Sequence, residues 1–265
     1  LVFDYEKISG LHFLKGSEYS DFRTTTDRIH GCMEFCDGYF TSTETLAEEI
    51  REEFPGKPVV INRNCMSMEM EVLSHEAVEQ TDKDKDRIYI GYLSGSKTHD
   101  QDFVQVEAAL LEVMERHPEF YLKLVGVLDE SGMEPVQNRI EKLPFMDWRQ
   151  LPGVIAGLDI NLMPLENTLF HCCKSENKWT AALVKVPSVM SRNREMEYVI
   201  ENGKDGWMCT TKEEWVSALE SLVTDEKARK AMGEAAHQKV MEHYLTENTG
   251  KDAMEELLCS ESYTK

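Results

Sequence analysis

The stretch RIYIGYLSGSKTHDQDF, residues 87–103, decides the fold. Its first half, Ile88 to Leu93, is a short β-branched and aromatic run of the length of one buried strand. It then breaks into small and polar residues, Ser94 to Thr98. Beyond the break, Phe103, Val106, Leu110, Val113 and Met114 recur at helical spacing. Thr98 and Gln101 have the spacing of a capping box, and His117-Pro118 ends the helix. A strand that closes on glycine and serine and turns directly into a helix is half of a βαβ unit.

The same alternation continues outward. FYLKLVGV (120–127) reads as the next strand, followed by a helix over 136–143 and a short strand at Phe145. A helix over 151–158 leads to the strand DINLMPL (159–165), and KWTAALVK (178–185) is helical. PSVMS (187–191) is a strand, REMEYVIENG a helix closed by Gly203, and DGWMC (205–209) a last short strand. Thr211 and Glu214 form a second capping box. It opens a long helical region marked by Trp215, Leu219, Leu222 and Val223. Strands alternating with helices imply a parallel sheet with right-handed crossovers, an α/β doubly wound, Rossmann-like fold. Ligands of such sheets bind outside the carboxyl ends of the strands, near the switch in strand order. That directs attention to the loops after Tyr92, Val125, Pro164 and Met190.

Towards the N-terminus, PVVINRN (58–64) reads as the strand that opens this unit. Residues 1–57 differ: a helix over 21–35, a strand-like DGYFTST (37–43), and a helix from Glu44 to Phe54. They are too short for an independent domain. The expected division is 1–57, a remnant of another domain with its linker, and 58–265, the Rossmann-like domain. Residue 1 is Leu, and the opening LVFDYEKISG looks like the middle of a protein, so an upstream part is expected.

Composition narrows the function. Over 265 residues, 41% are hydrophobic, enough for a substantial core. The formal net charge of -20 disfavours nucleic acid and anionic lipid over much of the surface, yet leaves room for a local phosphate site. No run approaches the roughly 20 apolar residues of a membrane span. Seven cysteines, an odd number without zinc-like spacing, read as free thiols in a reducing, cytoplasmic setting. The histidines show no metal-binding spacing, and His237 and His243 read as surface residues.

Three segments are candidates for chemistry. In the loop 94–99, backbone N–H groups at a helix start and the Lys97 ammonium suit a diphosphate, with His99 beside them; an ordinary βα turn fits the same residues. In 164–187, Lys174, Ser175 and Lys178 precede or open a helix, a second phosphate cradle or a solvated lysine pair. In PFMDWRQLPG (144–153), the backbone at Met146, Asp147 and Trp148 would read a nucleobase edge, unless Phe145 and Trp148 are core anchors. No nucleophile elbow or paired-carboxylate signature is present.

In this order, IGYLSGSKTHDQDF, YLKLVG, PFMDWRQLP, DINLMPLENTLFHCCKSENKW and AALVKVPSVMS resemble the C-terminal domain of GT-B glycosyltransferases of the large retaining class. The nearest likeness is to the rhamnosyltransferase-like enzymes of O-antigen and capsule synthesis. It spans roughly residues 58–250. LVFD and DGYFTSTETLAEEI are similar to the end of the partner N-terminal domain. The resemblance implies a nucleotide-diphosphate sugar as donor substrate and a glycan or lipid-linked acceptor. It implies no metal and no other cofactor: the leaving diphosphate is stabilised by a helix N-terminus and basic side chains. Gly95, Ser96 and Lys97 would face that diphosphate from one loop, Ser175 and Lys178 from the other, while 146–149 would contact the base. A location in the cytoplasm follows, with the inner face of the plasma membrane as the site of any lipid-linked acceptor.

One departure stands out. Relatives of this type carry two glutamates separated by seven residues, and the second holds the donor ribose. KSENKWTAALVKVP lacks that Glu between Thr180 and Ala181, and Glu176 is not an obvious substitute. Losing a charged hydrogen bond costs about 1.5–3 kcal/mol. Two alternatives therefore remain open: a non-catalytic binding or assembly module on the same fold, and a nucleotide-sugar epimerase-like enzyme.

Overall fold

The computed structural model describes residues 15–95, 100–249 and 251–259, without the side chains of Asp100, Lys178, Lys251 and Asp252. Two units of unequal size follow one another. The smaller holds α1 (Ser17–Met33), β1 (Tyr39–Thr41), α2 (Glu44–Glu53) and β2 (Val59–Ile61). β1 and β2 pair in parallel, Tyr39 against Val59. Tyr39, Ala47, Ile50, Phe54 and Val59 form their shared core. The strand at 58–64, expected to open the larger sheet, thus belongs to the smaller one.

The larger unit begins with α3 (Met68–Gln80) and β3 (Ile88–Ser94). α4 (Asp100–Arg116), β4 (Phe120–Gly126), β5 (Ile140–Leu143), α5 (Leu151–Ala156) and β6 (Ile160–Met163) follow. Then come α6 (Leu169–Cys172), a 3-10 helix at Asn177–Val184, β7 (Ser188–Ser191), α7 (Arg194–Val199) and β8 (Trp207–Cys209). The chain closes with α8 (Lys212–Thr224), α9 (Glu226–His243) and α10 (Lys251–Cys259), the last packed back on β2. The sheet order is β5-β4-β3-β6-β7-β8, every described pair parallel. The chain winds outward from β3 to β5, then returns to lay β6 beside β3, so the switch in strand order falls between those two strands.

Alternation along β3 explains the layers. Ile90 and Tyr92 point into a core shared with Phe103, Leu110, Leu122, Trp215 and Leu219, under α4 and α8. Tyr89 points the other way, into a core with Ile155, Leu158, Ala181 and Val184, under α3, α5 and the 3-10 helix. Each such aliphatic side chain contributes about 1.5–3 kcal/mol when fully buried. The Thr211–Glu214 capping box is present at the start of α8.

Three local expectations are corrected. The segment 136–143 is not a helix: a 3-10 segment, Ser131–Arg139, gives way to β5, which pairs Leu122 with Ile140 and replaces the strand expected at Phe145. Pro135 lies inside that segment, where it denies the backbone a regular α-helical ladder. Gly203, at φ 82°, does not close α7, which ends at Val199; its N–H instead closes a turn onto the Gly206 carbonyl at 2.8 Å. All seven cysteines are free. Among the described residues no helix is long and apolar enough to cross a membrane.

Candidate functional site

The carboxyl ends of β3 and β4 open into a cavity of about 310 Å³. Its floor is Leu93, Ser94 and Gly95 at the end of β3, with Val125 of β4 and Asn161 and Leu162 of β6. One wall is Met70 and Ser74 of α3; another is Leu151, Pro152 and Ile155 of α5. The 3-10 helix contributes Asn177, Thr180 and Val184, three and four residues apart and so on one side of the helix. Phe145 and Met146 form the rim, Phe145 being 69% exposed. No charged side chain lines the cavity among the described residues. An apolar hollow with a few neutral hydrogen-bonding groups, at a switch in strand order, suits a flat, largely uncharged ligand moiety.

Two backbone features hold the floor. Gly126 has φ 94°, and a Cβ there would stand 1.9 Å from the Ser94 carbonyl oxygen, so the ends of β3 and β4 meet closer than a side chain permits. The Ser94 hydroxyl donates to the Val127 carbonyl at 2.7 Å and ties the same two ends together.

The sequence-derived candidates divide as follows. Gly95 and Met146 line the cavity. Asp147 caps the short 3-10 turn Trp148–Gln150 by accepting from Arg149 N at 3.0 Å. Trp148 is half-buried under the Arg149 guanidinium, 4.4 Å from its ring centroid, and Phe145 is exposed, so neither is a buried core anchor. Ser175 accepts from Asn64 Nδ2 at 2.5 Å. Lys174 lies over the Phe170 ring at 4.8 Å, and burial lowers its pKa against the pull of Asp102 and Glu166. Ser96, Lys97, Thr98 and His99 lie outside the described residues, as does the side chain of Lys178. His243 is exposed as expected; His237 is half-buried, its Nδ1 3.2 Å from the Ala182 carbonyl.

Asp102, Glu166 and His171 bring one ligand atom each within 4.8 Å of one another, a spacing a metal ion could use. His171 Nε2 lies 3.1 Å from Asp102 Oδ1 and Nδ1 lies 2.7 Å from Thr168 Oγ1, while the Glu166 N–H donates to Asp102 at 3.0 Å. Lys174 already brings positive charge to both carboxylates. These residues tie the loop after β6 to the first turn of α4.

Sequence reasoning missed the joint behind the 3-10 helix. Glu195, fully buried at the start of α7, accepts from the Glu44 and Thr45 N–H groups at 3.2 and 2.7 Å and from the Thr45 hydroxyl at 2.7 Å. Arg63 joins it at 3.4 Å and reaches Glu176 at 3.6 Å. Glu176 is 1% exposed, faces this joint, and does not line the cavity. Nearby, Arg194 forks onto both oxygens of Glu48 at 2.5 Å. No local signal marks Arg63 or Glu195, because their partners are more than 100 residues away.

A larger hollow of about 700 Å³ lies at the opposite, amino ends of the strands. Five of its six cations are paired: Lys83 and Arg229 share Asp159, Arg87 pairs with Asp84, Lys230 with Glu226 and Lys185 with Glu234.

No protein-family model matches the chain, and no curated protein does. Solved structures do. HepE of Anabaena, in complex with UDP and glucose, is 13% identical with a TM-score of 0.67, over 98% of this chain and 70% of its own. Sucrose-phosphate synthase of Thermosynechococcus elongatus is 13% identical with a TM-score of 0.66, over 90% of this chain and 62% of its own. TarM of S. aureus, in complex with fondaparinux, α-GlcNAc-glycerol and UDP, is 14% identical with a TM-score of 0.65, over 91% and 47%. The chain thus spans about half to two thirds of the length of several structures it matches. At these identities the likeness is one of fold: the chain has the α/β, Rossmann-like architecture of GT-B glycosyltransferases.

Proposed function

We propose that this chain is the donor domain of a glycosyltransferase, binding a nucleotide-diphosphate sugar for transfer to a cell-surface polysaccharide or glycolipid acceptor. The observation that carries the reading is the cavity at the β3/β6 switch, lined by Gly95 and Asn177 and without a charged side chain among the described residues. A base and ribose fit the apolar part between Met146, Pro152 and Ile155. The diphosphate then lies towards Gly95 and the loop that follows it, and towards Ser175 and Lys178. HepE and TarM, which share the fold, were each solved with UDP, which supports the same assignment.

In this reading the reaction is hexosyl transfer without a metal. Departure of the nucleoside diphosphate develops negative charge on its terminal phosphate. Backbone N–H groups at helix starts and the lysine ammonium groups stabilise that charge as it forms. Reactivity further requires an acceptor-binding partner domain, of which the smaller unit, with its strand Val59–Ile61, would be the remnant. A lipid-linked acceptor would bring the enzyme to the inner face of the plasma membrane.

The alternative is a binding or assembly module on the same fold, and one observation favours it. The face of the 3-10 helix that meets the cavity presents Asn177, Thr180 and Val184, none of which can supply a carboxylate to a ribose. Differential scanning fluorimetry with UDP, GDP, dTDP and CDP, without metal, separates the two. A saturable rise in melting temperature with one of them, worth about 2.7 kcal/mol at 100 times its dissociation constant, supports the donor domain. A flat response to all four supports the module.

A further inference from the structure

Behind the cavity wall, one guanidinium serves two buried carboxylates. Glu195 receives two backbone N–H groups, the Thr45 hydroxyl and Arg63. Those donors satisfy its negative charge. Glu176, equally buried, receives no hydrogen bond from another described residue and feels only the pull of its own backbone N–H; among the described cations its ion-pair partner is Arg63 at 3.6 Å, which Glu195 already holds. The other ionisable groups around it give no relief. Glu195 adds negative charge, the Tyr244 phenol is pushed up to about 12 chiefly by burial, and Lys239 stands behind Trp179, paired with Asp205 at 2.5 Å. Cys65 lies beyond Tyr244. Burial accordingly raises the proton affinity of Glu176 above that of an ordinary glutamate.

The place of this carboxyl in the chain gives it leverage. Ser175, one residue before, is held by Asn64 at 2.5 Å; Asn177, one residue after, lines the cavity. Residues 63 and 64 therefore grip residues 176 and 175 side by side. We propose that Glu176 is a positioning residue for the donor loop: as an uncharged acid it leaves Arg63 to Glu195 and keeps Ser175 and Asn177 in place, and as a carboxylate it draws Arg63 away and shifts that loop. The inference rests on the donor-domain reading above, and it makes donor binding sensitive to pH through a group that never touches the donor.

The test compares the whole chain with Glu176→Gln, which keeps the shape without a titratable proton, and with Glu176→Met as a second variant of similar volume. The affinity for UDP, or for whichever nucleoside diphosphate raises the melting temperature, is titrated calorimetrically from acid to alkaline pH. The wild type is expected to lose at least about fivefold in affinity on the alkaline side, a small allosteric coupling, while the variants lose less by that factor. Titration of the ligand's own phosphate is common to all three proteins and cancels. Parallel profiles in wild type and variants overturn the role of Glu176 while leaving the donor reading intact. Absence of binding at every pH overturns the donor reading and this role with it. The melting temperature without nucleotide gives a second readout. A carboxyl whose pKa is raised by folding favours the folded state below its unfolded pKa, and that contribution is lost as pH rises through the folded pKa. The wild type is thus expected to lose stability over that window and Glu176→Gln not to; identical curves overturn the proposal.

Discussion

The two sides of the 3-10 helix Asn177–Val184 and the loop before it are built on opposite principles. Towards the cavity the helix shows Asn177, Thr180 and Val184 to a hollow without a single charged side chain among the described residues. Behind that loop and beside Glu176, Arg63 and Glu195 form a buried, charged joint to α2 and α7. The first surface is organised to accept something; the second to hold two units together. Apolar packing tolerates an occupant of variable shape, whereas a buried ion network tolerates only the geometry that satisfies every partner. A binding cavity backed by such a joint is fixed from behind and adaptable in front.

Four experiments break or sharpen that contrast. The largest effect is expected in the joint: Glu195→Ala strips three hydrogen bonds from Glu44 and Thr45 and leaves Arg63 facing a joint with one carboxylate fewer. A loss of about 3–5 kcal/mol in urea unfolding is expected; a loss below about 1 kcal/mol would mean the joint is ornamental. Next comes the cavity floor. Gly126→Ala puts a Cβ where the Ser94 carbonyl lies, at a positive φ, and should cost about 1–3 kcal/mol of stability. It should weaken nucleotide binding beyond that stability loss, checked by titration well below the melting temperature. Third, Phe145→Ala at the rim should leave stability almost unchanged and weaken a stacked base by about 1–3 kcal/mol, read as the ratio of dissociation constants. An unchanged affinity would move the base away from Phe145. The smallest effect is a near-identity: with no carboxylate among the described lining residues to grip a ribose, UDP and its 2′-deoxy analogue should bind within about threefold of each other, less than one charged hydrogen bond would impose. A tenfold preference for UDP would reveal a ribose partner outside the lining residues named here.

Much of the larger unit is written in local pattern. The alternation of Tyr89 and Ile90 between two cores, the switch from period two to helical spacing at Phe103, and the Thr211–Glu214 box each depend on residues a few positions apart. What escaped depends on distance. Val59–Ile61 is a strand by composition, but nothing in it says that it pairs with Tyr39–Thr41 rather than with the larger sheet. Val136, Ile140 and Leu143 fit a helical stripe, yet β4 needed an edge partner and took Ile140–Leu143. The cavity was legible in part, through Gly95 and Met146. Its contributions from α3, Met70 and Ser74, precede the sheet in sequence and carry no signature. The charged joint was invisible for the same reason: Arg63 stands in a run that reads as a turn, and Glu195 in a helix start like any other.

The strand order also has a history written into it. Tyr89 and Asp159, neighbours across the β3/β6 seam through a 2.9 Å hydrogen bond, are 70 residues apart. A ribosome adding about 5–20 residues per second needs roughly 4–14 s to travel that distance. Throughout that interval β3, a largely buried strand of the finished molecule, would offer newly made chain an unpaired, apolar edge of the kind that seeds association between polypeptides. The central seam beside the cavity is therefore one that must wait for chain made 70 residues later before it can close.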